Sequence, residues 1–317
     1  MTFSTPPTTP TLISIGTHSL ALYTHGPEPS NPQAPIILFI SGIASSSLNW
    51  AAVIRLLSPS LRSYTYDRAG YGRSELSPLA PTAETIALEL SLLIKHTPLS
   101  NPLIIVGHSW AGVLIHEFIA LTGNGPHISG LVFVDANHEN ALEVLNPNNV
   151  NLAAMSVGLD AYVAYGIEAE HKLTAEEWDA FMSDEATGKH KQQEQKEESE
   201  YAPSFETLRK KELGMRQPLL EGKPVHVIGG MRSRDWSGLY RAGVERGNGS
   251  EEQRRCVRQL IETADKKSTG LMKEFLKLST KGKLVFARES GHFVQLTEPE
   301  MVVDGVKWVL NESQISS

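Results

Sequence analysis

The chain has 317 residues, 40% of them hydrophobic and 21% charged, with a formal net charge of −7. That length suits one large α/β domain with an insertion, or two modest domains, and the composition is that of an ordinary globular protein. The acidic balance argues against nucleic acid or an anionic membrane as partner, and no apolar run approaches the length of a membrane span. The stretch Met1–Thr11 is polar and rich in Pro and Thr, without the basic-then-apolar pattern of a signal peptide. The single cysteine, Cys256, rules out an internal disulfide and fits a reducing, cytoplasmic compartment. It lies in a charged segment and reads as a surface or helix thiol. No paired Cys/His spacing suggests a metal site.

Residues 11–25 alternate loosely, with Gly16-Thr17-His18 in the middle, and predict a hairpin at a sheet edge. Pro27–Pro35 is a turn-rich linker. Pro35–Ile40 is a continuous apolar run, the mark of a strand buried on both faces, and it ends in Ser41-Gly42-Ile43. Trp50–Leu57 predicts a helix. Arg62–Tyr66 predicts a strand running into Asp67-Arg68-Ala69-Gly70-Tyr71-Gly72-Arg73-Ser74, and Thr82–His96 an amphipathic helix. Pro102–Val106 and Gly130–Val134 are further buried strands, the second closing at Asp135. From Ala136 to Leu220 the strand-and-helix rhythm stops. Helical pieces (Glu176–Met182, Phe205–Leu213) flank a run of mixed charge, Lys189–Glu200, which reads as a solvated helix face or mobile loop. Strands resume at Lys223–Gly230 and Gly282–Ala287, and a helix over Pro299–Leu310 closes the chain.

Alternation of this kind predicts an α/β fold: a mostly parallel central sheet with helices on both faces. Residues 1–135 and 221–317 form the core, and 136–220 an inserted helical lid. In such sheets functional groups gather at the carboxyl ends of the strands, where Ser41-Gly42-Ile43, Ser109 and Asp135 all fall. The stretch Ile104–Gly112 is a strand, a sharp turn with Ser109 at its apex, and the start of a helix, which is the context of a nucleophile elbow. Small neighbours are needed there because a serine in a strained turn brings its backbone against strand and helix. The Gly-x-Ser-x-Gly pattern is imperfect, with Ala111 in the last place and Gly112 one later.

Four segments in order resemble the α/β-hydrolase superfamily, over nearly the whole chain outside the lid: Phe39-Ile40-Ser41-Gly42, Asp67 to Ser74, Gly107 to Gly112, and Ser290-Gly291-His292-Phe293. The resemblance implies Ser109 as nucleophile and His292, after the last strand, as its base. It implies an oxyanion hole from the backbone N–H groups of Ile43 and Trp110. Ser41 departs from the His-Gly usual in that loop. For the carboxylate that orients the histidine, two places remain. Asp235 follows the strand used by most relatives but comes slightly late, after Gly229-Gly230-Met231-Arg232-Ser233. Asp135 ends the previous strand, used by some haloalkane dehalogenases among others, and is favoured. His108, His116 and His226 read as structural, Asp67-Arg68 as turn chemistry, and His138 and Glu139 as neighbours of the pocket mouth without a role.

Relatives that open epoxides or remove halide attack through an elbow aspartate, so a serine there implies acyl chemistry. Met155, Tyr162, Tyr165, Trp178, Phe181 and Met182 supply the lid with apolar material for a pocket or for its own core. The expectation is a serine hydrolase that cleaves a small to medium apolar ester or lactone, with a small-molecule substrate and no cofactor. Two alternatives stand beside it: a lyase or carbon–carbon bond hydrolase on the same triad, and a catalytically silent fold that binds a small molecule.

Overall fold

The computed structural model describes residues 9–97, 99, 102–123 and 128–315. Most of the Met1–Thr11 stretch, read above as lacking a signal peptide, lies outside them. Among the described residues, eight strands make one sheet: β1 (Thr11–Ser14), β2 (Ser19–His25), β3 (Ile36–Ile40), β4 (Ser63–Tyr66), β5 (Leu103–His108), β6 (Ile128–Val134), β7 (Val225–Gly230) and β8 (Gly282–Ala287). Their order is β1-β2-β4-β3-β5-β6-β7-β8. The β1–β2 hairpin is antiparallel and joins β4 antiparallel; every other pairing is parallel. The register sets Ile40 beside Gly107, His108 beside Val134, Val134 beside Ile228 and Gly230 beside Ala287, so the carboxyl ends of β3, β5, β6, β7 and β8 finish at one edge.

Helices α1 (Ala51–Leu57), α2 (Ala83–Lys95) and α3 (Ala111–Thr122) follow β3, β4 and β5. Between β6 and β7 the chain is helical: α4 (Ala141–Leu145), α5 (Val150–Ser156), α6 (Ala161–Ala164), α7 (Ile167–Glu170), α8 (Ala175–Glu185) and α9 (Gly188–Arg209). Helices α10 (Arg232–Glu245) and α11 (Glu251–Phe275) follow β7, and α12 (Val294–Thr297) and α13 (Pro299–Ile315) follow β8. Continuous apolar strands serve two layers because successive side chains point to opposite faces. Ile37, Phe39, Ile104, Val106, Val132 and Val134 pack on Val53 and Leu57 of α1 and on Val302, Val306 and Val309 of α13. Leu38, Ile40, Ile105, Leu131 and Phe133 pack the other way, on Leu90 of α2, Ile115 of α3 and Phe275 of α11. Each such fully buried side chain contributes about 1.5–3 kcal/mol relative to exposure, and together they hold the strand ends in one plane.

The charge run Lys189–Glu200 proves to be the body of α9, and the expectation of a solvated face or mobile loop fails on one side of it. His190, Gln193 and Glu197, spaced by three and four residues and therefore on one helical face, are buried. The helix expected over Phe205–Leu213 is the end of α9, followed by a short 3₁₀ turn at Leu213–Arg216.

Candidate active site

Ser109 stands between β5 and α3 with φ +55, a left-handed conformation that a non-glycine residue adopts only where its surroundings impose it. Its N–H donates to Val134 O (3.3 Å), and its carbonyl accepts from Gly112 N (3.0 Å) and Asn137 N (2.7 Å). The turn is too crowded for larger neighbours. A Cβ on Gly107 would meet Ile115 Cδ1 at 2.5 Å, and one on Gly42 would meet Ser109 Cβ at 2.9 Å. Two more non-glycine residues at this edge share the left-handed region, Ala44 after β3 (φ +52) and Asp135 after β6 (φ +37).

Asp135 is 2% exposed, and its N–H is anchored on Ile228 O at 2.7 Å. Its Oδ1 accepts from Gly230 N (3.0 Å), and its Oδ2 from Arg232 Nη2 (2.8 Å) and His292 Nδ1 (2.6 Å). Burial alone would raise this carboxyl's pKa. The Arg232 guanidinium, the His292 ring and the Gly230 N–H outweigh it and hold the carboxyl well below the usual carboxylate range. The contact to an ionised carboxylate assigns the ring proton of His292 to Nδ1, which leaves Nε2 as acceptor for the Ser109 hydroxyl at 2.9 Å. The backbone of His292 is fixed independently: its N–H donates to Asp235 Oδ2 (2.8 Å), and its carbonyl accepts from His108 Nε2 (3.0 Å). The two candidate aspartates thus do different things. Asp135 meets the ring and Asp235 the main chain. Burial pushes the Asp235 carboxyl up, and Gly291 lies so close to it that a side chain at 291 would collide. Burial, then His292, lower His108 well below the usual histidine range, so it packs as a neutral ring.

The loop after β3 holds the second expected N–H. Ser41 Oγ donates to Ser46 O (2.8 Å), tying the loop to itself. Arg68 donates to the carbonyls of Ser41 and Gly42, both at 2.7 Å, and to the buried Glu197 of α9. Among the described residues, no acceptor takes the N–H of Ile43 or of Trp110.

Two cavities meet at Ser109, Ile43 and His292. One, of about 370 Å³, runs between Asn137, Leu145, Tyr201, Arg232 and Trp236. The other, of about 430 Å³, runs between Tyr162, Tyr165, Glu185, His190 and Phe293. Residues of the 136–220 segment wall both. Arg232, Asn137, Tyr201 and the Arg68–Glu197 pair were not singled out as site residues from sequence. A cation two residues after a Gly-Gly strand end, next to an expected buried aspartate, was the available signal for Arg232. The polar spacing 190, 193, 197, 201, 204 was the signal for Glu197. Among the described residues, no group of three or more His, Cys, Asp or Glu is gathered as a metal site requires.

A protein of Gibberella zeae named as an AB hydrolase superfamily protein is 29% identical over 298 residues, covering 92% of this chain and 91% of that one. A protein of Hormonema carpetanum named as a probable transporter is 32% identical over 308 residues, 95% of this chain but 42% of that one. In this chain no described helix is long and apolar enough to cross a membrane. The solved structure of the haloalkane dehalogenase DbeA from Bradyrhizobium elkani superposes with a TM-score of 0.64 at 18% identity, covering 97% of this chain and 99% of that one. Its likeness is one of fold. The family model described as the alpha/beta hydrolase family matches residues 37–305, from β3 into α13, and the chain belongs to that family.

Proposed function

We propose that this protein is a serine hydrolase that cleaves an ester or lactone, with Ser109 as nucleophile, His292 as base and Asp135 as the orienting acid. The observation that carries the reading is the continuous relay from Ser109 Oγ to His292 Nε2 (2.9 Å) and from His292 Nδ1 to Asp135 Oδ2 (2.6 Å). A free serine hydroxyl is a poor nucleophile at neutral pH, and this relay supplies what it lacks. As Oγ attacks the acyl carbon, its proton passes to Nε2, and the buried carboxylate of Asp135 stabilises the imidazolium. Negative charge moves to the acyl oxygen, toward the uncommitted N–H groups of Ile43 and Trp110; a single such donor is worth roughly 10²–10³ in kcat. Collapse expels the alcohol, which takes the proton from Nε2. Water then enters, gives a proton to Nε2 and attacks the acyl–serine ester, and Ser109 Oγ leaves with that proton as the acid is released.

The paired cavities fit a substrate with a group on each side of the scissile bond: the side lined by Asn137, Tyr201 and Arg232 is as polar as it is apolar, and the side lined by Tyr162, Tyr165 and Phe293 is the more apolar. On this reading residues 136–220 are a lid inserted in a core of 1–135 and 221–317. The serine at the elbow separates the chemistry from that of the dehalogenase whose fold it shares. The test is intact-mass spectrometry after a fluorophosphonate probe, beside turnover of p-nitrophenyl esters and a lactone panel. The wild type gains one adduct and Ser109→Ala none. A folded wild type that gains no adduct refutes the proposal and leaves the small-molecule-binding fold. A wild type that labels but turns over neither esters nor lactones refutes the substrate class.

A further inference from the structure

Helix α9 belongs to the inserted segment, yet its side chains reach the loop that carries Ile43 and the indole of Trp110, the two residues proposed as oxyanion donors. Glu197, fully buried, receives Arg68 Nε on one oxygen (2.9 Å) and Arg68 Nη2 on the other (2.8 Å). Arg68 grips Ser41 O and Gly42 O, each at 2.7 Å, while Glu197 Oε2 also accepts the Ala44 N–H at 3.1 Å. His190 of the same helix places Nε2 3.2 Å from Ala44 O. Two turns beyond Glu197, Ser204 Oγ accepts the indole N–H of Trp110 at 2.9 Å. The Gly42 carbonyl and the Ile43 N–H share one planar trans peptide and point in opposite directions. A guanidinium that fixes the carbonyl therefore aims the N–H. The fork of arginine does this for two carbonyls and a carboxylate at once, which lysine cannot. Replacing a buried ion pair with apolar residues is often neutral or stabilising, so the arrangement calls for a reason beyond stability.

We propose that Glu197 and Arg68 are positioning residues that aim the Ile43 N–H, and that Ser204 steadies Trp110. On that view α9 is a fixed wall of the site and not a part that swings away. The proposal rests on the serine-hydrolase reading. Arg68→Lys, Glu197→Gln and Ser204→Ala are compared with Lys189→Ala. Lys189 anchors the same helix on Gly72 O (2.6 Å) and Ser74 O (3.1 Å) and touches neither donor. With p-nitrophenyl acetate, Arg68→Lys lowers kcat roughly 10–100-fold while KM stays within about threefold. The inhibition constant of an aryl trifluoromethyl ketone, whose serine adduct carries the oxyanion, rises by the same factor as kcat/KM falls. Glu197→Gln, which preserves volume, and Ser204→Ala move in the same direction by less, and Lys189→Ala keeps the wild-type kcat. Hydrogen exchange at the Ala44 amide speeds at least ~10-fold in Arg68→Lys even though its acceptor Glu197 stays in place. Equal kcat losses in Lys189→Ala and Arg68→Lys overturn the proposal, as does unchanged exchange at Ala44. If the wild type neither labels nor turns over ester, the hydrolase reading falls, and the exchange rate alone decides whether α9 braces the loop. Should Arg68→Lys fail to fold, Glu197→Gln with the same kinetic and inhibitor readouts decides.

Discussion

Replacing Asp135 by asparagine changes one atom type and leaves the volume, so the outcome follows from hydrogen-bond accounting. The carboxylate accepts from Gly230 N on Oδ1, and from Arg232 and His292 Nδ1 on Oδ2. A carboxamide has one acceptor and one NH₂ group. With its oxygen toward Arg232 and His292, the NH₂ faces the Gly230 N–H, donor against donor. With the oxygen toward Gly230, the NH₂ faces His292 Nδ1, which must give up its proton. The proton then sits on Nε2, pointed at the nucleophile, and the base is lost. A wrong tautomer of this kind costs on the order of 10⁴ in kcat, about 5 kcal/mol of barrier. Arg232 also loses the nearer of its counter-charges, with Asp235 remaining at 3.9 Å, and removing one partner of a buried pair costs about 3 kcal/mol of stability. Because the Asp135 pKa is depressed in the fold, its stabilisation is present above pH ~4 and fades as the pH falls below that, so the stability gap between wild type and variant narrows in acid. Asp235→Asn retains an oxygen for the His292 N–H and keeps kcat within about tenfold. Single-turnover hydrolysis of p-nitrophenyl acetate, with urea unfolding at pH 3 and pH 7, measures all of this. An Asp135→Asn enzyme within tenfold of wild type, or an Asp235→Asn enzyme more impaired than it, refutes the assignment.

Two further perturbations probe the cavities and the loop. Burial raises the pKa of Glu185 to about 7, against the hydroxyl of Tyr162 that donates to it. The folded chain therefore holds a proton that the unfolded chain releases near pH ~4.5, so this side chain lowers stability as pH rises from about 5 through 7. Glu185→Gln stays neutral and gains on the wild type by on the order of 2 kcal/mol between pH 5 and pH 8 in urea unfolding; a pH-independent difference would sink the idea. Gly42→Ala puts a methyl 2.9 Å from Ser109 Cβ and 3.1 Å from His108 Nδ1 and forces the loop outward. A displacement of about 1 Å there lowers kcat by roughly 10²-fold with little change in KM. Wild-type kcat in a folded Gly42→Ala protein would show that the loop's position does not matter.

The central strands were legible because each is an unbroken apolar run punctuated by glycine or aspartate, a pattern that both layers of the core require. Ser109 and His292 were legible as well, since each sits in a local turn whose small neighbours carry the message. The choice between Asp135 and Asp235 was legible only as a preference for Asp135. It depends on where two strand ends land relative to a loop far along the chain, and Asp235, three residues into α10, reaches the main chain of the histidine instead of its ring. The short helices between β6 and β7 escaped because four to seven residues carry no periodicity of their own. Tertiary contacts and caps such as Asp160 and Asn149 hold them. Helix α9 was anticipated in part, as a solvated helix face or loop and a helix from Phe205, but the burial of its side at residues 190–204 escaped for a different reason. Its buried face is polar, so a search for apolar spacing passes over Glu197, whose partner Arg68 had been read as turn chemistry alone.

Ala44, Ser109 and Asp135 are all left-handed without being glycine, and all stand at one edge of the sheet. Each such residue costs about 1 kcal/mol or more that glycine would not, partly offset by the greater freedom of glycine in the unfolded chain. Tolerance to heat and competence at this edge therefore pull in opposite directions. A library of this chain screened only for survival at high temperature would fill positions 44 and 109 with glycine before it altered the core, and would spare Asp135, whose pairing with Arg232 outweighs its strain. Its hardiest members would be well-folded proteins with nothing left to attack a substrate.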